Sequence, residues 1–421
     1  MLYSAGVDEQ AGAATSGPAV SGPVTSVHFD HHAPEFAADP WSTLADLRAR
    51  CPVAHSDAYG GFWVATGYEE IKQVALDDDT FSSAETILVP PKKNAQQKSI
   101  PIEMDPPEFL EYRRIMQPLF APVAVERLAP AIEYYANRCV DDFIERGEVD
   151  IVHEFADPLP VMVTLHKLGL PVDEWRRYAE PMHKTVFLRQ GNPARDGVLE
   201  QLGWIVGTIQ EAIGQRRSSP RDDMISYLLA SRPFGEPVTD HAVQEMVMLT
   251  MQGGFDTTGS AISSALIYLD RHRDARRRLR DEPDLMTTAV EEFLRFESPQ
   301  FALARTATRD VEVGGCPIAE GERILLVWGS GNRDEAVFER ADEVVLDRFP
   351  NRHMAFGLGA HRCLGSTLAR RQIQIALRTL LRRLPDYAID HERLVRAETI
   401  GVTYGTFAMP ITFAPGPRVL S

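Results

Sequence analysis

A cysteine ahead of a predicted helix is the residue of this sequence whose position best suits chemistry. Cys363 ends the segment FGLGAHRC and precedes a helix predicted over residues 364–383. The N–H groups and the positive dipole end of a helix N-terminus stabilise a thiolate. Gly357 and Gly359 permit turns and close backbone approach, and Gly365 leaves room for a flat group against the first helical turn. A thiolate beside a large planar ligand would use both of these features.

Simpler interpretations of Cys363 stay open on the residues alone. A single cysteine at a helix start is usually a small buried hydrophobic residue. A zinc site is disfavoured because no other Cys or His stands at zinc-ligand spacing. A dinucleotide site is disfavoured because the segment lacks a third glycine and a preceding strand.

A second segment combines two glycines with an acid and an alcohol. Gly253, Gly254, Asp256 and Thr257 lie inside a long apolar helix predicted over residues 239–270. Each mid-helix glycine costs about 1 kcal/mol relative to alanine, so some compensation is expected. Close packing against a neighbouring helix and a functional opening in the helix are both consistent with the pair.

A third segment carries an acid and a base on one helix face. Glu292 and Arg295 stand three residues apart within a helix predicted over residues 284–297. In isolation, such a pair is usually a surface ion pair worth less than about 1 kcal/mol.

Together the three segments resemble the cytochrome P450 family, and the similarity extends over roughly residues 35–415. The resemblance implies that Cys363 is the proximal thiolate ligand of a haem b iron, with Phe356 packed beside the sulfur and the porphyrin. A thiolate ligand pushes electron density toward iron and favours O–O cleavage.

The resemblance also assigns the other two segments. Gly253 and Gly254 would make room for dioxygen, Thr257 would donate a hydrogen bond to the distal oxygen, and Asp256 would belong to a proton relay from solvent. Glu292 and Arg295 would form a buried structural network near the proximal side of the haem, without a catalytic role.

Three basic residues match family positions that bind haem propionates, namely Arg113, Arg305 and His361. Two carboxylates that enter a protein interior need charged partners. As isolated residues, the three would be solvated or in local ion pairs. The chain departs from the bacterial pattern at Phe109, where a histidine is common, so one propionate contact is expected to be missing.

The substrate is expected over the distal haem face. By family position its lining would include residues 82–100, Leu249, Gln252, Ala302 and Leu303. Most of these residues are apolar, which favours a small-to-medium apolar or aromatic organic substrate. Gln252 is hypothesised to hydrogen-bond a substrate oxygen, and a solvent-facing or backbone-facing glutamine is the equal alternative.

Electrons are expected to come from another protein, because the sequence has no flavin or nicotinamide fingerprint. The resemblance implies a ferredoxin and a ferredoxin reductase. Four arginines near the ligand loop form a candidate basic patch for an acidic donor, with ordinary solvated surface as the alternative: Arg352, Arg362, Arg370 and Arg371.

The resemblance therefore predicts a haem-thiolate monooxygenase that inserts one oxygen atom from O2 into its substrate. A peroxygenase on the same haem and a non-catalytic haem sensor or ligand-binding protein are the alternatives. The pair Asp256–Thr257 argues against both, because neither needs relayed protons.

Composition is consistent with an enzyme free in the cytoplasm. The 421 residues carry a net charge of −16, which argues against a nucleic-acid or anionic-membrane partner. The four cysteines form no disulfide framework, which favours a reducing compartment. Residues 1–27 read as a disordered leader, and residues 28–421 as a single domain.

Helical patterns dominate from Glu108 onward, and short strands cluster late, so the predicted fold class is mainly α, α+β, with a long central helix over the haem and small late β-sheets. Helices are predicted over 108–118, 123–146, 158–169, 173–189, 197–217, 222–231, 239–270, 272–281, 284–297 and 364–383, and strands over 62–66, 301–308, 311–313, 316–318 and 323–328.

Overall fold

Helices form most of the protein, whose computed structural model describes residues 25–91, 98–189 and 191–420. The helices are α1 (Pro34–Ala38), α2 (Pro40–Arg50), α3 (Tyr68–Leu76), α4 (Glu108–Met116), α5 (Pro122–Asp141), α6 (Pro158–Leu168), α7 (Trp175–Phe187), α8 (Val198–Ser218), α9 (Met224–Ala230), α10 (Asp240–Gly254), α11 (Asp256–Arg271), α12 (Arg273–Asp281), α13 (Leu285–Glu297), α14 (Trp328–Gly331) and α15 (Ser366–Arg383). None of the helices in these ranges is long and apolar enough to cross a membrane.

Short strands form one mixed sheet and three small ones. The strands are β1 (Ser26–Val27), β2 (Val53–Ser56), β3 (Phe62–Ala65), β4 (Phe81–Ser82), β5 (Glu148–Asp150), β6 (Ala302–Ala307), β7 (Val311–Val313), β8 (Cys316–Ile318), β9 (Arg323–Val327), β10 (Ala388–Ile389), β11 (Val395–Arg396), β12 (Thr406–Ala408) and β13 (Pro410–Thr412). The six-stranded sheet has the order β1-β2-β3-β9-β6-β4, and the smaller sheets pair β10-β13-β5, β11-β12 and β7-β8.

The largest sheet joins four strands from residues 26–82 to two strands from residues 302–327, which corrects the expectation that the strands cluster late. β3 pairs in parallel with β9, with Trp63 opposite Ile324, and β9 pairs antiparallel with β6. β1 lies within the predicted leader and pairs with β2 of the predicted domain. Residues 1–24 of that leader lie outside the described part of the chain. The strands β1, β2 and β4, of two to four residues each, were not predicted, because strands this short give at most a weak alternating pattern.

The helix predicted over residues 239–270 is two helices that meet at Phe255. Phe255 has φ −78° and ψ −75°, and its N–H still donates to the carbonyl of Met251 at 3.1 Å. The axis is therefore interrupted directly after Gly253 and Gly254, where the backbone is most easily distorted. The other predicted helices are present with ends shifted by a few residues, as is usual at frayed termini.

A large apolar core surrounds the interrupted helix pair. It is built from the buried faces of α5, α6, α8, α10, α11, α13 and α15, and a second core fills the space between α3 and the six-stranded sheet. Burial of these faces is the main stabilising contribution, at roughly 25 cal/mol per Å² of apolar surface. The functional site lies where the two cores meet.

Candidate active site

A cavity of about 250 Å³ lies between the interruption of α10 and α11 on one side and the loop before α15 on the other. Its lining includes most of the residues that the sequence marked for chemistry. These are Arg113, Leu249, Gly253, Gly254, Thr257, Leu303, Arg305, Phe356, Gly357, His361, Cys363 and Gly365. Tertiary packing thus collects residues from four separate parts of the chain around one space.

The loop before α15 is held in one conformation by its backbone. The Cys363 N–H donates to the Phe356 carbonyl at 2.7 Å, and Gly357 and Gly359 adopt left-handed φ angles of 66° and 70°. A Cβ on Gly359 would lie 2.2 Å from the Ala75 carbonyl oxygen on α3. Gly359 does not line the cavity, and its role is this close approach, which no other residue permits.

Cys363 is the one cysteine of the four whose side chain is exposed, and it is exposed into the cavity. The surrounding protein raises the pKa of the thiol by desolvation, while the Gly365 N–H and the nearby Arg113, Arg362 and Arg370 act in the opposite direction. Direct bonding to a metal ion deprotonates a thiol whatever its pKa in the metal-free protein. A sulfur that is exposed into this cavity is therefore a candidate metal ligand.

Basic groups line the same cavity without acidic partners. Arg305 is buried, and Arg113 is half-buried; neither makes an ion pair with any residue in the described ranges. Burial lowers the pKa of Arg305 to about 10, although Asp78 and Asp105 partly oppose the shift. A buried, unpaired guanidinium is costly, so an anionic group is expected here.

His361 stacks on Phe109, the residue at which the chain departs from the family pattern. Their ring centroids are 4.0 Å apart, with 23° between the planes. Burial, with the charges of Arg305 and Arg113, lowers the pKa of His361 to about 3. The ring is therefore neutral at pH 7 and can donate one N–H to an anion. Phe109 thus provides an aromatic contact to His361 where a histidine would provide a polar contact to a propionate.

One further donor faces this region. The Nε1 atom of Trp328 is buried without a hydrogen-bond partner, and its side chain lines the cavity. Buried indole N–H groups normally have an acceptor. A sulfur ligand, two guanidinium groups, a neutral imidazole and a free indole donor fit a flat group that carries a metal and two carboxylates, as haem does.

The two glycines of α10 have different surroundings. A Cβ on Gly254 would lie 3.0 Å from the Thr164 hydroxyl on α6, whereas a Cβ on Gly253 would meet nothing within 4 Å. Gly254 thus allows close helix packing, and Gly253 leaves open space in the cavity. The structure thus shows close packing at Gly254, whereas a functional opening at Gly253 stays a prediction. The Thr257 hydroxyl lines the cavity and donates to the Gly253 carbonyl at 2.8 Å.

Asp256 points away from the cavity, into the protein. It is buried, and its Oδ1 lies 3.1 Å from Nδ1 of His183 on α7. Burial raises the pKa of Asp256, and the His183 hydrogen bond opposes the shift. Asp256 and Thr257, adjacent in sequence, therefore lie on different faces of α11, one toward His183 and the other toward the cavity.

Two of the four predicted substrate contacts lie elsewhere. Leu249 and Leu303 line the cavity, but Gln252 and Ala302 do not. Gln252 is buried roughly a third of a helical turn from the cavity-lining face of α10. Ala302 precedes Leu303 in β6, and successive strand residues face opposite ways, so it lines a different cavity near Val89. Residues 92–97 of the predicted lining loop lie outside the described residues.

Glu292 and Arg295 form a bidentate ion pair with no exposed surface. Both Glu292 oxygens accept from Arg295 at 2.8 Å, and they also accept from Val345, Arg348 and Asn351. Arg295 donates its remaining hydrogen bonds to backbone carbonyls of Asn332, Ala341 and Glu343. This network ties α13 to the segment that leads into the cysteine loop.

The candidate basic patch is divided. Arg352 and Arg362 are exposed, whereas Arg370 is paired with Glu291 at 2.6 Å and Arg371 with Glu126 at 2.9 Å. Only the first two of the four arginines thus present uncompensated charge beside the cysteine loop.

Sequence reasoning missed His183, Asp157 and Trp328. The His183 Nε2 atom lies 3.4 Å from Asp157, so this histidine sits between two carboxylates. Nothing in the sequence could have paired α7 with α11, because the contact depends on tertiary packing. For Trp328 the only signal was a large aromatic residue directly after a buried strand.

Comparison with known proteins agrees with this geometry. A family model described as Cytochrome P450 matches residues 200–385. The chain is 33% identical over 383 residues to Cytochrome P450 130 of Mycobacterium tuberculosis, covering 88% of this chain and 95% of that protein. It is 31% identical to the Steroid C26-monooxygenase of Mycolicibacterium smegmatis, covering 89% and 93%.

A solved structure shows the same fold. P450BioI in complex with an acyl carrier protein ligated to hexadec-9Z-enoic acid is 28% identical, with a TM-score of 0.82 over 90% of this chain and 100% of that one. Similarity of this extent, with the cysteine loop, the interrupted helix and the buried ion-pair network in place, means that the chain belongs to the cytochrome P450 family of haem-thiolate monooxygenases.

Proposed function

We propose that this P450 hydroxylates a small-to-medium apolar or aromatic organic substrate, with O2 as the oxygen source and a ferredoxin and its reductase as electron donors. The observation that carries the proposal is the character of the cavity above the cysteine loop, where Leu249, Leu303 and Ile102 provide apolar walls. Such a lining favours apolar ligands, with few polar groups to fix orientation.

The relatives support the same substrate class. One carries the name Steroid C26-monooxygenase, and another was solved with a fatty acyl group on its carrier protein. A steroid and a hexadecenoyl chain are both largely apolar. Polar side chains also line the cavity, among them Thr250, Gln300 and Lys167, but apolar residues outnumber them.

Haem, when bound, supplies the activation of dioxygen. The residues of this chain would bind the haem and deliver protons to the cavity. Cys363 would ligate the iron, and Arg113, Arg305 and His361 would bind the propionates. Gly253 leaves space beside the Thr257 hydroxyl, which is close enough to the cavity to donate a hydrogen bond there. Asp256 would exchange protons with Thr257 after a change of rotamer, because its carboxylate faces His183.

Electron delivery is proposed at the face that carries Arg352 and Arg362. Their charges are exposed, and charge complementarity with an acidic ferredoxin would speed association. Replacing both with glutamate is expected to slow electron transfer from the ferredoxin, with a smaller effect at high salt. The matched control is Arg371→Glu, whose charge is already offset by Glu126. Equal effects of the two changes would exclude this docking face.

The identity of the iron ligand is tested by the absorption spectrum of the reduced, carbon monoxide-bound protein. We expect a strongly red-shifted Soret band for the wild type and its loss in Cys363→His at equal haem content. A haem-loaded wild type without that band would overturn the monooxygenase proposal. Substrate classes are then compared by the spin-state shift that each compound causes.

The peroxygenase and the sensor remain the alternatives. A peroxygenase would form product with hydrogen peroxide as fast as with O2 and reduced ferredoxin. A sensor would show no increase in oxygen-dependent electron consumption with any compound that shifts the spin state. The proposal extends to a cytoplasmic location without nucleic-acid or membrane partners, which the net charge of −16 supports.

A further inference from the structure

A second cluster of metal-binding side chains lies behind the interrupted helix, on the side away from the cavity. His153, Asp157 and His183 direct three donor atoms at one another, all within 4.8 Å. The Asp157 Oδ2 atom lies 3.4 Å from His183 Nε2 and 3.8 Å from His153 Nδ1. No residue of this cluster lines the cavity beside Cys363.

Local structure positions two of the three residues together. His153 lies in a π-helical turn, Val152–Ala156, and Asp157 follows it directly at i,i+4 spacing. Such turns are rare and occur often at functional sites. Asp157 also packs on α11, where a Cβ on Gly259 would lie 3.1 Å from its Oδ1 atom. His183 then approaches from α7, held between the rings of Phe187 and Phe407.

The distances suit a tetrahedral zinc ion. Zinc binds imidazole nitrogen and carboxylate oxygen at about 2.0–2.1 Å, so two ligand atoms of a tetrahedral site are roughly 3.3 Å apart. The separation between Asp157 and His183 is already close to that value, and the His153 side chain, 41% exposed, can close the remaining gap. Exposure of His153 also gives an ion a route from solvent.

Buried polar atoms at this place are incompletely paired. The Nε2 atom of His183, whose side chain is 8% exposed, has only the Asp157 carboxylate at 3.4 Å and no well-formed hydrogen bond, and Oδ2 of Asp256 has no hydrogen-bond partner. The groups that face His183 are the carboxylates of Asp157 and Asp256, the ring of His153 and the backbone of Phe407. No lysine or arginine in the described ranges pairs with either carboxylate. One protonated histidine between two carboxylates leaves a net negative charge that a dication would neutralise.

We propose that His153, Asp157 and His183 form a binding site for a divalent zinc-class ion, with a fourth position open to water. His183 would bind through Nε2, and its Nδ1–H would donate to Asp256 at the observed 3.1 Å. A histidine ligand whose other nitrogen donates to a carboxylate is the usual outer-shell arrangement of protein zinc sites. The bound ion would hold the Asp256 carboxylate in its inward orientation.

The proton is the competitor of the metal at this site. Burial lowers the pKa of His183, but the charges of Asp157 and Asp256 outweigh it and raise the pKa to about 9. A metal ion must therefore displace a proton at neutral pH, and its affinity should rise with pH.

The test is calorimetric titration of the EDTA-stripped, haem-loaded protein with Zn²⁺, at pH 6 and at pH 8. We expect one zinc ion per chain that is lost in His153→Ala and in His183→Gln, with tighter binding and proton release at pH 8. Asp256→Asn should weaken binding by about 10–100-fold, as expected for an outer-shell partner.

A matched control is His391→Ala, because His391 pairs with Asp270 at 2.9 Å without a third ligand. This change should leave zinc binding intact. Binding that is unchanged in both His153→Ala and His183→Gln, or a wild type that takes up no zinc at pH 8, would overturn the site and leave a proton as the only cation there. The carbon monoxide spectrum is independent of this outcome, so the two proposals fail separately.

Discussion

Two buried acid–base clusters flank the haem-binding cavity, and they differ in how completely their hydrogen bonds are satisfied. Glu292 accepts hydrogen bonds from four residues on its two oxygens, and Arg295 is fully paired. Asp256, equally buried, has one partner, and one of its oxygens has none.

The difference separates structure from function. A fully paired network is rigid and expensive to disturb, because each lost partner leaves a buried charge. A partly paired cluster can accept a proton, a metal or a new rotamer at much smaller cost. The first cluster holds the cysteine loop in place, and the second is suited to a change of state.

The largest expected effect comes from breaking the complete network. Glu292→Gln removes the charge that compensates Arg295 and Arg348, so it should destabilise the protein by about 3–5 kcal/mol. Chemical denaturation and haem content after purification measure the effect.

Glu291→Gln is the matched control on the same helix. Glu291 is paired with Arg370 and His353 but is 24% exposed, and these partners lower its pKa to about 2 against the effect of burial. Glu291→Gln should therefore lower the free energy of unfolding by clearly less than Glu292→Gln does. Equal losses from the two changes would contradict the distinction between the networks.

The next effect concerns turnover and not stability. Thr257→Ala and Asp256→Asn should each lower product formation by about 100-fold, the low end of what a lost proton-transfer group costs. Electron consumption should continue, with more peroxide or water per electron pair. Thr258→Ala, which alters another hydroxyl at the cavity, is the control. If Thr257→Ala and Asp256→Asn both formed as much product per electron pair as the wild type, Asp256 and Thr257 would be excluded from proton delivery.

A smaller effect should appear in the pH dependence of stability. The folded-state pKa of His183, about 9, lies above its ordinary value of 6.5, because Asp157 and Asp256 outweigh desolvation. The resulting stabilisation is complete below pH 6.5 and is lost as the pH rises through about 9. In EDTA, the Tm of the wild type should therefore fall relative to that of His183→Gln over this range. Parallel curves would mean that His183 is neutral.

The smallest effect is expected at Gln252. This residue is buried away from the cavity, so Gln252→Ala should leave substrate affinity almost unchanged. Leu303→Ala removes apolar contact from the cavity wall and should weaken binding by about tenfold. Spin-state titrations with one substrate compare the two variants. A stronger effect at Gln252 would restore the original hypothesis of a direct substrate contact.

Local patterns predicted the parts of the fold that depend on local sequence. The helices from α4 to α13, the helix α15 and the strands β6 to β9 follow from periodicity and from glycine and proline positions, whereas the four-residue α14 was not predicted. α1, α2 and β2 were missed because short amphipathic segments carry weak signals. The interruption at Phe255 was placed almost correctly, since two glycines mark where a helix distorts.

The site was predictable where a single loop carries it. Cys363, Phe356 and the loop glycines stand together in sequence, and the structure keeps them together. The direction of Asp256 was not predictable, because it depends on His183, which is 73 residues away on another helix. The predicted substrate contacts of Gln252 and Ala302 were wrong for a related reason, since one step along a helix or strand moves a side chain to a different face.

The docking of the cysteine loop on α3 has a consequence for how the protein is made. Gly359 rests on the Ala75 carbonyl, and the Tyr68 hydroxyl donates to the Arg352 carbonyl at 2.8 Å, across 284 residues of chain. Contacts between such distant segments form slowly, because a long loop must close first. During synthesis, α3 leaves the ribosome long before the loop that it anchors. Cofactor capture is therefore a late event of folding, after nearly the whole chain has been translated.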